Sequence, residues 1–158
     1  MKYRRLSLDE LESLRDEFVT FLIANGINAE HWEELKAAEP NLTEGMILAF
    51  SDIVWEDVLS RVKYLEHLAE GTYFVFKCDD ETIHLVGMEC REATGDREQF
   101  LDYVSRFPET CFVFTQSKKY VPARNTEIFR MVESGAMIVK GEWYDRLFDT
   151  HMPSDPAQ

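Results

Sequence analysis

The stretch TYFVFKCDDETIHLVGMEC, residues 72–90, decides the fold of this chain. Two runs rich in β-branched and aromatic residues flank a short polar segment, which predicts a β-hairpin. Alternation along the runs places two sets of side chains on opposite faces of the hairpin. One face carries Phe74, Phe76, Ile83 and Leu85, and the other carries Tyr73, Val75, His84 and Val86. Because both faces hold apolar residues, we expect both strands to be covered on both sides.

A helix and a further strand follow the hairpin. Asp96 and Gln99 form a capping box, which predicts a helix that ends before Pro108. The buried stripe of this helix is predicted from apolar residues at spacings of three and four. Residues 111–114, CFVF, resemble the hairpin strands, and we expect another covered strand there.

The last part of the chain predicts one more helix and one more strand. Asn125 is placed to cap a helix through Glu133, and Gly135 follows as its stop. AMIVK at 136–140 predicts a short strand. A final helical turn is expected to dock through Trp143, Tyr144, Leu147 and Phe148.

The chain before the hairpin is helical in pattern. Ser7 and Glu10 form a capping box, and an apolar stripe predicts a helix over 8–25. Asn28 is placed to cap a second helix, and a third helical region follows it. The stretch 60–69 fits both a helix and a strand, and we favour the helix.

Together these elements predict an α+β fold. A helical N-terminal half precedes a small mixed β-sheet with flanking helices, in the order β-β-α-β-α-β. The length of 158 residues suits one domain, and we expect it over residues 1–150 with a flexible tail at 151–158. A domain boundary near residue 40 is the alternative.

The charge and cysteine content narrow the classes of function. The chain has a formal net charge of −13, which argues against nucleic-acid binding over its whole surface and favours basic partners. Three cysteines are an odd number without a CxxC pair, so we expect small buried thiols, no disulfide framework and a cytoplasmic location. No apolar run approaches 18 residues, so we expect no membrane span.

One segment runs against the acidic balance. Residues 118–130 contain one acid, Glu127, and four bases, which are Lys118, Lys119, Arg124 and Arg130. The segment lies between a predicted strand and the N-terminus of a helix, where unpaired N–H groups attract anions. Lys118, Lys119 and Arg124, with Tyr120 as an aromatic anchor, are therefore predicted to bind an anion or the acidic surface of a partner protein. A solvated loop is the alternative.

The acidic first helices have two interpretations as well. Residues 9–44 hold ten acids and two bases, a net charge of −8. A solvated helix face is the simpler interpretation, and a docking surface for a basic partner is the other. The sequence leaves the partner and the oligomeric state open.

Signals for catalysis, a metal or a cofactor are weak. Cys78, His84 and Cys90 are evenly spaced, but strand alternation places Cys78 on the opposite face from the other two. The chain has no nucleophile elbow, no phosphate-binding glycine loop and no short metal motif, so we predict no catalytic residue, no metal and no cofactor.

A nuclease is the alternative function. If residues 61–68 form a strand, the order becomes α-β-β-β-α-β, which is similar to the restriction-endonuclease-like fold. That resemblance implies a metal-binding Glu-x-Lys, and Glu89 and Arg91 stand at its positions. Arginine does not readily lose its proton, so any such nuclease is expected to be degenerate.

Three segments carry a further resemblance. They are MKYRRLSLDELESLRDEFVTFLIANGI at 1–27, FSDIVWEDVLSRVKYLEHL at 50–68 and YFVFKC at 73–78. Over most of its length the chain resembles a family of small bacterial proteins of unknown function. The resemblance implies a bacterial cytoplasmic setting and assigns no activity, cofactor or site. We therefore expect a non-catalytic protein-binding or accessory regulatory module.

Overall fold

The computed structural model of this chain describes residues 1–144. The elements in chain order are α1 (Leu8–Ser13), α2 (Arg15–Ala24), α3 (Ala29–Ala38), α4 (Pro40–Arg61), β1 (Tyr64–Ala69), β2 (Thr72–Cys78), β3 (Thr82–Glu89), α5 (Arg97–Arg106), a 3₁₀ turn (Pro108–Thr110), β4 (Phe112–Lys119), α6 (Arg124–Glu133) and β5 (Met137–Val139). Helices therefore precede a sheet, and the predicted α+β class is confirmed.

The chain divides into two compact units. The first comprises Met1–Ser60, and the second begins at Arg61. The single domain predicted over residues 1–150 stays a prediction. The tail predicted at 151–158, and Leu147 and Phe148 of the predicted last helical turn, lie outside the described residues.

The first unit is a set of four helices. The Ser7–Glu10 capping box is present, and its carboxylate also pairs with Arg4 at 2.9 Å. These contacts lower the pKa of Glu10 to about 2, chiefly through Arg4. The single helix predicted over 8–25 is wrong in one respect, because Leu14 interrupts it and separates α1 from α2. The core of the unit forms where Leu22, Ile27 and Trp32 meet.

The second unit contains a five-stranded sheet in the order β4-β3-β2-β1-β5. Every pairing is antiparallel, so the predicted mixed sheet is corrected to an antiparallel one. The hairpin of β2 and β3 is confirmed, with Phe76 opposite Leu85 and Val75 opposite Val86. These pairs place the two predicted sets of side chains on opposite faces of the sheet.

The helix favoured for residues 60–69 is wrong. The helix α4 ends at Arg61, and β1 pairs with β2 over six residues and with β5 over three. Along the chain the order after the first helices is therefore β-β-β-α-β-α-β, with one strand more than the predicted β-β-α-β-α-β. The apolar pattern was ambiguous because Glu66, an acid, occupies a core position where only 1% of the residue is exposed.

The Glu66 carboxylate is a charged group buried within this sheet, so it needs partners inside the protein. The Tyr73 hydroxyl donates a hydrogen bond to it from the neighbouring strand, and the Arg97 guanidinium pairs with it at 2.8 Å from the first turn of α5. The Glu66 contact raises the pKa of Arg97, and burial raises the pKa of Tyr73, so Arg97 stays charged and Tyr73 stays a donor. The three side chains fasten α5 to β1 and β2.

The expectation that all three cysteines are buried thiols is also wrong. Cys90 and Cys111 are joined by a disulfide, although 21 residues separate them in sequence. The register of the sheet explains the pairing. Glu89 lies opposite Phe112, so the next residue of β3 and the preceding residue of β4 face each other. Cys78 is the free and buried thiol, as expected.

None of the helices in residues 1–144 has the length and the apolar character that crossing a bilayer requires.

Replacing Arg97 with alanine should lower the free energy of unfolding by about 2–3 kcal/mol, since it leaves the buried Glu66 carboxylate without its cation. Arg91→Ala is the matched control. Arg91 is 90% exposed in its pair with Glu89, so its loss should cost less than about 0.5 kcal/mol. Urea denaturation of both variants measures the difference. Equal costs would contradict the role of Arg97.

Candidate functional site

The strand β4 lies at one edge of the sheet. It pairs with β3 over eight residues, and no other strand of residues 1–144 lies against its outer edge. Within the described residues, the alternate N–H and C=O groups along that edge have no strand partner, and such an edge can pair with another extended chain. The covered strand predicted at 111–114 is corrected, because Phe112 is 64% exposed.

Aromatic rings extend from this edge across one face of the sheet. Phe112 and Phe114 stack along β4, and Phe114 meets Phe74 of β2 edge to face at 6.3 Å. Between them Gly87 leaves room for the Phe114 ring, since a Cβ there would lie 2.2 Å from it. The sequence signal for this edge was the polar run of residues 115–119 that follows the phenylalanines. Lysine and other polar residues are typical of edge strands.

The basic segment directly follows this run. Lys118 pairs with Glu127, and the backbone N–H of Val121 donates to the same carboxylate at 2.7 Å. The helix α6 begins at Arg124 with Ala123 at its N-cap, so the predicted cap at Asn125 is wrong by two residues. The Glu127 carboxylate lies in the first turn of α6. It therefore already supplies a negative charge to the basic segment, at the place where an external anion was predicted to bind.

Arg124 lies beneath the segment rather than on its surface. Its guanidinium donates to three backbone carbonyls, those of Val62 at 2.5 Å, Asp79 at 3.1 Å and Cys78 at 3.3 Å. We call these three groups the carbonyl cluster. Charged donors on backbone carbonyls are among the stronger hydrogen bonds in proteins. Arg124 therefore ties α6 to the end of β2 and to the short connection that precedes β1.

The Tyr120 side chain also contacts the carbonyl cluster. Its hydroxyl donates to the carbonyl of Asp79 at 2.8 Å, and burial raises its pKa, so it remains a donor. Burial also raises the pKa of the adjacent Cys78 thiol to about 11. Tyr120 is thus a structural contact of the segment in this conformation, and the aromatic anchor predicted from sequence stays a prediction.

Lys119 is the remaining member of the predicted set. Its side chain is exposed, and in the described part of the chain it has no hydrogen bond or ion pair. Lys118 and Lys119 alternate along β4, so they point to opposite faces of the sheet. The structure therefore brings the four predicted residues together, with two lysines directed outward and two side chains used to hold the segment.

The evenly spaced cysteines and histidine of the hairpin do not form a metal site. Cys90 is in the disulfide, and His84 contacts Asp79 at 3.0 Å and Ser117 at 2.7 Å. Across residues 1–144, no three His, Cys, Asp or Glu side chains meet in a group suited to a metal ion.

The strand β1 supplies the order α-β-β-β-α-β that the nuclease alternative requires. Glu89 and Glu70 line one cavity of about 550 Å³ with Arg91, and Arg91 pairs with Glu89 at 3.2 Å. A carboxylate held by an arginine is less available to a cation. Nuclease activity therefore stays a prediction.

A comparison with known families gives one match. The family described as "Family of unknown function (DUF6495)" matches residues 1–152. No curated protein and no solved structure matches the chain.

Arg124→Ala should lower the free energy of unfolding by about 2–3 kcal/mol, because three carbonyls lose a charged donor. Lys119→Ala is the control from the same segment, and its exposed side chain should change stability by less than about 0.5 kcal/mol. Thermal and urea unfolding would measure both. An unchanged midpoint for Arg124→Ala would show that the carbonyl cluster does not hold α6.

Proposed function

We propose that this chain, which belongs to the DUF6495 family of unknown function, is a non-catalytic protein-binding module that captures an acidic, extended segment of a partner protein. The partner segment lies along the outer edge of β4, beside the basic segment. The observation that carries this proposal is the eight-residue edge strand, which is aromatic at one end and basic at the other.

The backbone supplies the affinity in this mode of binding. An added strand forms N–H···O=C bonds along β4, as extended peptides do at open sheet edges. The exposed Phe112 offers an apolar contact at the start of the edge, and aromatic side chains are enriched in protein–protein interfaces. An added strand extends the sheet without any movement of its core.

The lysines supply the selectivity. Lys118 and Lys119 lie at the end of the edge and point to opposite faces, so an acidic partner segment meets a positive charge on each face. To bind a partner's acid, Lys118 must give up part of its ion pair with Glu127. Lys119 has no competing ion pair in the described residues. We therefore assign the larger effect to Lys119.

Tyr120 and Arg124 set the position of these lysines. Both donate to the Asp79 carbonyl at the turn of the hairpin, and Arg124 also reaches two further carbonyls. The segment after β4 is thus held before a partner arrives, which reduces the entropy lost on binding.

A cytoplasmic location is part of the proposal. It rests on the odd number of cysteines and on the lack of a CxxC pair. The Cys90–Cys111 disulfide argues the other way, because structural disulfides are rare in a reducing cytoplasm, and this conflict makes the location testable. In that compartment the pair would be kept as two thiols and would join on oxidation.

Alkylation of the denatured protein tests this location. In cells quenched with acid, all three cysteines should be labelled, and after oxidation of the purified protein only Cys78 should be. Mass spectrometry counts the labels. A Cys111→Ser variant should carry two labels under both conditions. A single label in freshly quenched cells would place the chain in an oxidising compartment.

Binding of a defined peptide tests the β4 edge. The probe is a fluorescent ten-residue peptide that alternates pairs of glutamates with pairs of valines, so that glutamates lie on both faces of the added strand. Its control carries lysine in place of glutamate. We expect the acidic peptide to bind, and Lys119→Glu to weaken it at least tenfold, which corresponds to about 1.4 kcal/mol. Fluorescence anisotropy at two salt concentrations measures the affinity.

Lys140→Glu is the matched control for this test. Lys140 is exposed and follows β5 at the opposite edge of the sheet, so the same change of charge should alter affinity less than about twofold. Equal losses of affinity for Lys119→Glu and Lys140→Glu would show that the peptide responds only to the net charge of the protein. Equal binding of the acidic and basic peptides would contradict the proposal.

A further inference from the structure

A disulfide closes the end of the β3–β4 ladder at which the β4 edge begins. Cys90 directly follows β3, and Cys111 directly precedes β4. The adjacent residues, Glu89 and Phe112, form the last backbone pair of the two strands. The cross-link therefore joins β3 and β4 covalently at the aromatic end of the strand that the proposed function uses.

Non-covalent side-chain contacts hold this end of β4 weakly. Phe112 is 64% exposed, and its ring stacks on Phe114, a residue of the same strand. Just before the disulfide, the Thr110 hydroxyl donates to the Phe107 carbonyl at 2.8 Å, so it holds the 3₁₀ turn to the end of α5. Cross-strand side-chain pairs are what stabilise one strand against its neighbour. The disulfide is therefore a main attachment of residues 111–112 to β3.

The opposite end of β4 has attachments of its own. Lys118 pairs with Glu127 of α6, and Tyr120 and Arg124, which follow the strand, both donate to the Asp79 carbonyl. Loss of the cross-link should therefore loosen the first residues of β4 while residues 117–119 stay paired. Local opening of this kind needs less free energy than global unfolding.

We propose that Cys90 and Cys111 form a thiol–disulfide switch that controls the order of the β4 edge and, with it, the binding of the partner segment. In the disulfide form the edge is continuous from Phe112 to Lys119 and accepts the added strand. In the dithiol form its first residues separate from β3, so the partner loses Phe112 and the first backbone groups. The effect on binding rests on the proposed function, whereas the effect on the order of the edge does not.

Glutathione disulfide is the class of oxidant that converts the two thiols. Cys111 is half-buried and Cys90 is 1% exposed, so the Cys111 thiolate attacks first. One sulfur of glutathione disulfide bonds to Cys111, and the other leaves as a glutathione thiolate. The Cys90 thiolate then attacks the Cys111 sulfur and displaces the second glutathione. Two electrons and two protons thus pass from the cysteines to two glutathione molecules, and reduction runs through the reverse steps.

Amide hydrogen exchange of the full chain tests the switch. Excess glutathione disulfide gives the disulfide form and excess reduced glutathione gives the dithiol form, and alkylation followed by mass spectrometry verifies each state. Exchange at residues 112–114 should be at least tenfold faster in the dithiol form, while exchange at residues 117–119 should change less than twofold. Cys78→Ala is the matched control, because it keeps the pair and should show the same response at residues 112–114.

The acidic peptide described above gives the second readout. We expect the dithiol form to bind it at least tenfold more weakly than the disulfide form. Cys111→Ser cannot form the pair, so its affinity should match that of the dithiol form under both glutathione conditions. Circular dichroism checks that this variant is folded, and the two forms of the wild-type chain give the same comparison without a substitution.

The two readouts separate the switch from the proposed function. Equal exchange at residues 112–114 in the two forms would overturn the switch, and so would a pair that neither glutathione condition converts. Different exchange with equal peptide binding would overturn control of binding and leave the proposed function intact. Different exchange with no peptide binding in either form would overturn the proposed function and support the switch in the order of the edge.

Discussion

A carboxylate inside the sheet imposes the main constraint on the second unit. Glu66 is buried on the middle of β1, where an unpaired charge would cost several kcal/mol. Tyr73 and Arg97 satisfy it from two other elements. Because Arg97 stands in the first turn of α5, the helix must start at one place over the sheet. The position of this first turn also constrains the path of the chain from β3 into α5 and from α5 to β4.

Much of this fold could be predicted from residues that act locally. The two capping boxes, at Ser7 and at Asp96, form within four residues, and both occur as predicted. The β2–β3 hairpin depends on one alternating pattern and a short turn. Glu66 shows the limit, since its burial depends on Arg97, 31 residues away, and a local pattern cannot reveal such a partner. The Cys90–Cys111 pairing depends likewise on the register of β4.

The candidate site could be predicted only in part, for the same reason. The sequence identified Lys118, Lys119, Tyr120 and Arg124 by their charge and order. It could not show that Arg124 and Tyr120 turn inward, because the carbonyls they bind come from distant parts of the chain. The aromatic edge at Phe112 was missed because exposure depends on which strand is outermost. The polar residues after it were the available signal.

The Cys78 thiol can report how often the structure around the carbonyl cluster opens. It is the thiol outside the disulfide, it is buried, and its own carbonyl accepts from Arg124. With its pKa raised to about 11, the closed state offers almost no thiolate to an alkylating reagent at neutral pH. Labelling therefore proceeds only when the end of β2 opens. The rate of modification in the oxidised protein would read out, without an added dye, how often this local opening occurs.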